Sequence, residues 1–187
     1  GANNFTTISE DQVNNNGDLV STLISGQVSD VDSGAVNGIA VTALTSGTGT
    51  WQYSTDNGST WTDVGSVSDS SALLLRSTDR LRLVPDGQNT TTGSITFRAW
   101  DQTSGSAGTQ VDVSTNGGTT AYSTATATSN ITVTSVNDAP VLAGANDFSS
   151  LSEDQTANGG NTVASLLAGQ VSDVDSGAAN GIAVTGL

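Results

Sequence analysis

At 187 residues the chain is long enough for one large domain, or for one domain and part of a second, with a core of its own. Eighteen acidic residues against four arginines and no lysine give a formal charge of −14, which excludes nucleic acid and anionic lipid as partners and favours hard divalent cations. Cysteine and histidine are absent, so disulfides, thiolate metal sites, activated Ser or Cys nucleophiles and zinc hydrolase chemistry are out of reach.

In chain order, β-branched and aromatic residues set between Gly, Asn and Ser turns predict strands at 5–9, 19–24, 39–44, 50–54, 60–64, 72–77, 80–84, 94–100 and 124–136. Two of these alternate cleanly. Ile95, Phe97 and Ala99 are separated by Thr96 and Arg98, and Ile131 and Val133 by Thr132, so each strand presents one apolar face. Residues 102–122 are rich in Gly, Ser and Thr and read as an inserted loop or hairpin. Short strands at this spacing predict an all-β Greek-key sandwich. No apolar run reaches membrane-spanning length, so no direct membrane insertion is expected. No signal peptide opens the chain, and an export signal would lie elsewhere in a longer polypeptide or have been removed.

A repeat organises the whole. Residues 1–44 align without a gap on residues 144–187, with about two-thirds identity. GANNFTTISEDQ returns as GANDFSSLSEDQ, and GQVSDVDSGAVNGIAVTAL as GQVSDVDSGAANGIAVTGL. The division expected is therefore a complete β-sandwich repeat over 1–137, then a linker end and the opening of the next repeat over 138–187. The second repeat stops inside a predicted strand and would expose half a core, so either the polypeptide continues or a neighbouring chain completes it.

Asp30-Val31-Asp32-Ser33-Gly34, followed by Asn37-Gly38, recurs at Asp173, Asp175, Gly177, Asn180 and Gly181. Two carboxylates two residues apart, a Gly that relaxes the backbone and an amide oxygen form part of a calcium shell. It is not an EF-hand, because Val41 stands where that loop needs its bidentate Glu. The same residues also suit turns that bond their own backbone, and both readings stand at this point.

Together, Ser9-Glu10-Asp11, the Asp30/Asp32 pair with Asn37, Ala99-Trp100-Asp101 and Val136-Asn137-Asp138-Ala139-Pro140 resemble the calcium-binding elements of cadherin-type repeats, above all the tandem cadherin-like or Ig-like repeats of giant, type I secreted bacterial surface adhesins. The resemblance implies Ca²⁺ at the junctions between modules. One junction would use Glu10, Asn137, Asp138, Asp173, Asp175 and Asn180; Asp30, Asp32, Asn37 and Asp101 would face the preceding junction. It further implies an extracellular, cell-surface location and partners that are neighbouring repeats or other copies of the same protein. The linker lacks two of the family's ligands, at Ser135 and Ala139, and the family's Asp-Arg-Glu element survives only as Asp79-Arg80-Leu81, which implies fewer ions or weaker binding.

Ser54-Thr55-Asp56-Asn57-Gly58-Ser59-Thr60-Trp61 matches the Asp-box pattern of sialidases and related repeat proteins, where it is a folding element, and Asp-Asn-Gly between strands is a hairpin signal by itself. Trp100 either lies under the 102–122 segment or forms a platform for a surface glycan. Glu10 and Glu153 occupy equivalent repeat positions and so do not make an acid–base pair in one site; no enzyme is expected.

Overall fold

The computed structural model describes residues 1–32 and 34–186. Ser33, inside the first acidic motif, and Leu187, the last residue of the repeat, lie outside the described residues. The chain is mostly β-sheet and divides into two compact units, Gly1–Ser135 and Val136–Leu187.

In the first unit, β1 (Ile8–Ser9), β3 (Gly38–Thr45), β6 (Ala72–Arg76), β8 (Thr91–Trp100), β9 (Gln110–Val111) and β10 (Tyr122–Thr134) form one sheet in the order β1-β10-β8-β3-β6-β9. β2 (Asp18–Leu19), β4 (Thr50–Ser54), β5 (Thr62–Asp63) and β7 (Arg80–Val84) form a second, in the order β2-β7-β4-β5. β1 lies parallel to β10, with Ile8 opposite Val133, while β3, β6, β8 and β10 pair antiparallel. One core lies between the sheets, drawing Ile39, Val41, Leu73, Leu75, Ile95, Phe97, Ile131 and Val133 from the first and Trp51, Leu81 and Leu83 from the second. Alternation puts these residues there: on β10, Ile131 and Val133 are buried while Thr132 and Thr134 are exposed. Trp51 anchors the centre. Its indole meets the Phe5 ring at a tilt of 49° with centroids 4.9 Å apart, and its Nε1–H donates to Thr45 O at 2.8 Å, so the polar atom of a buried ring is satisfied.

The strand expected over 19–24 is instead two residues of β2 followed by a short helix, α1 (Val20–Ile24). Leu23 and Ile24 lie three and four residues after Val20, which is helical spacing, and all three are buried. The β-branched residues suggested a strand, but the period decided the outcome. The 102–122 segment gives the edge strand β9 and covers Trp100, which joins Ala40, Ala72, Leu74, Val113 and Ala121 in a second, smaller core.

The second unit holds β11 (Val141–Leu142), α2 (Val163–Leu167) and β12 (Val171–Ser172), with β11 and β12 paired antiparallel. Local structure recurs at the 143-residue spacing. α2 matches α1, and Asn146 donates to Ser165 O and Ala168 O as Asn3 donates to Thr22 O and Ser25 O. The strand expected from Ile182 onward does not form within the described residues. Its counterpart β3 is held on both sides, by β6 and β8, and residues 136–186 contain no counterparts of those strands.

Candidate functional site

Each unit carries acidic residues that bond local backbone. In the first, Asp30 Oδ1 accepts the Asp32 N–H at 2.9 Å. Asp101, at the end of β8, accepts the Thr103 N–H at 2.8 Å and donates its own N–H to Ala121 O at 3.1 Å. Asn37 O accepts the Ser77 N–H and a Gln102 side-chain N–H. Asp30, Asn37 and Asp101 line one open groove of about 240 Å³ together with Trp100 and Tyr122; Asp32 does not line it. Among the described residues, Asp30, Asp32 and Asp101 do not converge as a three-carboxylate group, and their hydrogen bonds are those of local turns.

Glu10 lies at the other end of the same sheet. It follows β1, is buried, and donates its N–H to Thr134 O at 3.0 Å, beside the last residues of the unit. Val133 pairs with Thr91 at the start of β8, and Asp101 follows its end. Ten residues of strand therefore separate Glu10 from the Asp101 groove, about 30 Å at 3.3 Å per residue.

In the second unit the Asp138 N–H donates to Asp175 Oδ2 at 2.8 Å across 37 residues of sequence, and the Asp175 N–H donates to Asp173 Oδ1 at 2.9 Å. Asn137 donates from its side chain to Asp138 O at 3.0 Å, and Asn180 is exposed. Asp138 Oδ2 is buried and, among the described residues, has no hydrogen-bond partner. An acceptor oxygen held out of water without a donor is costly for a charged group, which makes this atom a candidate ligand.

The remaining motifs are structural. Ser54 Oγ accepts the Gly58 N–H at 2.8 Å, Asp56 accepts the Thr60 N–H at 2.9 Å and the Thr60 hydroxyl at 2.7 Å, and Asn57 and Gly58 turn the chain in the left-handed region. The Thr60 backbone N–H, then the Thr60 hydroxyl and Ser54, pull the Asp56 carboxyl down to about 2. Trp61 stacks under the Arg82 guanidinium at 4.1 Å. Trp100 is buried, its Nε1–H donating to Ser104 O at 2.7 Å. Asp79, read from the sequence as a remnant calcium ligand, is buried and accepts from the Arg76 N–H at 2.7 Å and from the Arg76 guanidinium at 2.8 Å. The signal for this clamp was the Arg76–Asp79 spacing around a tight turn between two alternating strands. The Asp79 bonds also raise the Arg76 pKa.

Comparison with protein-family models, with curated proteins and with solved structures gave no match. Among the described residues, no helix is long and apolar enough to cross a membrane.

Proposed function

We propose that the chain is a structural extender or adhesion repeat of a secreted bacterial cell-surface protein, an Ig/cadherin-like Greek-key sandwich used in tandem, with calcium at each junction stiffening the rod. The observation that carries this reading is Asp138: its Oδ2 is buried without a donor, while its backbone N–H is tied to Asp175 and, through it, to Asp173. A hard divalent cation is the partner that such an oxygen fits, since calcium takes six to eight oxygen ligands in flexible geometry. Glu10, Asp138 and Asp175 each offer a carboxylate oxygen suited to the ion. Asn137, Asp173 and Asn180 are further oxygen donors in the set that the sequence resemblance implies. With the ion bound, linker and flanking modules share one crosslink; without it, the clustered carboxylates repel one another and the joint loosens.

Thermal unfolding in calcium and in chelator tests this. Calcium at a hundredfold excess over its Kd stabilises by about 2.7 kcal/mol, so the melt rises by several degrees, and Asp175→Asn removes the rise. Identical melts with calcium and with chelator refute the reading.

A further inference from the structure

The turn that joins β4 to β5 holds more chemistry than a turn needs. The chain carries six Asn-Gly pairs, four of them in the first unit, at Asn16, Asn37, Asn57 and Asn116. In such a pair the backbone nitrogen of the glycine can reach the side-chain amide carbon before it, because glycine has no Cβ to hinder the approach. The attack is helped by a route out for the proton on that nitrogen and by a charge facing the oxygen of the tetrahedral intermediate.

At Asn57 both are in place. The Gly58 N–H donates to Ser54 Oγ at 2.8 Å, and the Ser54 hydroxyl donates onward to Asp56 Oδ1 at 2.7 Å. Ser54 is buried, which fixes this relay. Asp56 is ionised at neutral pH, since the Thr60 N–H, then the Thr60 hydroxyl and Ser54, hold its carboxyl at about 2. On the opposite side Arg80 Nε–H donates to Asn57 Oδ1 at 2.9 Å. A guanidinium is always charged, so it polarises the amide carbonyl and meets the oxyanion as it forms. Asn57 is itself exposed, which gives water access.

The other three pairs of the first unit lack this arrangement. The Gly17 N–H donates to Asn15 Oδ1 and the Gly117 N–H to Tyr122 O, oxygens with no hydrogen to pass on. The Asn116 amide is turned back on Val113 O and Ser114 O, and Gly38 lies in β3 between β6 and β8.

We propose that Asn57-Gly58 is a self-modifying site, at which the folded turn converts Asn57 to aspartate. Gly58 N bonds to Asn57 Cγ while its proton passes through Ser54 to Asp56 and on to the departing Nδ2; the Cγ–Nδ2 bond breaks and ammonia leaves. Water then adds at Cγ of the cyclic imide, the carbonyl that Arg80 polarises. The Cγ–N bond breaks, the Gly58 N–H is restored and a carboxylate remains at position 57. One water is consumed for each ammonia released, and the junction cation takes no part. The product gives Arg80 a carboxylate partner; among the described residues it forms no ion pair, and its other bonds go to the Asn16 and Gly17 carbonyls. Aspartate tolerates the φ of 60° at this position as asparagine does.

The intact chain is incubated at neutral pH in heavy-oxygen water, folded and in urea, and peptide mapping follows the labelled oxygen at each Asn-Gly pair. Ser54→Ala and Arg80→Gln are run alongside, each checked for a cooperative melt. Asn57 is expected to convert at least about tenfold faster in the folded wild type than in urea, with aspartate as the main product, whereas Asn16 and Asn116 slow on folding. Both substitutions remove the folded-state gain. A gain below about tenfold, isoaspartate as the main product, or a gain that Ser54→Ala leaves intact overturns the proposal. Should either variant fail to melt cooperatively, the folded and unfolded rates of the wild type decide alone.

Discussion

Leu75→Ala is the sharpest test of the core described for the first unit. Leu75 lies on β6, opposite Ile39 of β3, and its side chain is fully buried between the two sheets. Truncation removes three carbons' worth of buried surface and leaves a cavity in a packed interior, which costs about 2–5 kcal/mol. A unit of this size loses roughly 3–5 °C of melting temperature per kcal/mol, so the transition falls by about 10–15 °C at the middle of that range. Leu142→Ala is the matched control, since Leu142 is 65% exposed on β11 and its truncation shifts stability by no more than about 0.5 kcal/mol. Denaturant unfolding followed by tryptophan fluorescence reads the Leu75→Ala effect, because Trp51 lies in the core that Leu75 completes, and Leu142→Ala leaves that transition in place. A Leu75→Ala midpoint within the error of wild type, at unchanged m-value, refutes the two-sheet core as described.

Asp79→Ala strips the Arg76 backbone N–H and guanidinium of their acceptor at a buried turn, and denaturant unfolding registers a loss of about 1–3 kcal/mol. Asp69→Ala, which breaks the exposed ion pair to Arg98, costs less than about 1 kcal/mol in the same assay. Asp56 titrates near 2 in the folded chain against an ordinary value of 3.8, so its contribution to the hairpin is complete above pH 3.8 and disappears as the pH falls through about 2. The Thr60 amide resonance follows that step by NMR; a midpoint at 3.8 contradicts the hydrogen-bonded turn, and Asp56→Asn removes the step altogether.

Much of the fold was legible because alternation and turn chemistry agree. Thr50–Ser54 and Arg80–Val84 form over the expected residues, each bounded by Gly, Ser or Asp turns. α1 was misread because Val20, Leu23 and Ile24 are strand-forming or neutral by type while their spacing is helical. β9 left little trace, since an edge strand of two residues within a Gly- and Ser-rich segment is set by its pairing with β6 rather than by its composition. The second segment shows the limit most clearly. Its turns, helix and Asn146 bonds copy those of the first because they are local, whereas its long strand does not form because the neighbours that hold β3 are β6 and β8. At the candidate site, the Asp173–Asp175 bond follows from a spacing of two residues. The Asp138–Asp175 bond joins residues 37 apart, and no spacing rule anticipates it.

In the proposed junction the Asp138 carboxyl and its acidic neighbours hold a calcium ion. Equilibrium dialysis of the intact chain against calcium, for wild type and for Asp138→Asn, tests it most directly. Binding to the wild type is expected to be saturable, to be displaced poorly by magnesium and to fall at least about tenfold in Asp138→Asn, since one ligand charge is removed. Equal binding by the two proteins, or no saturable binding by the wild type, contradicts it.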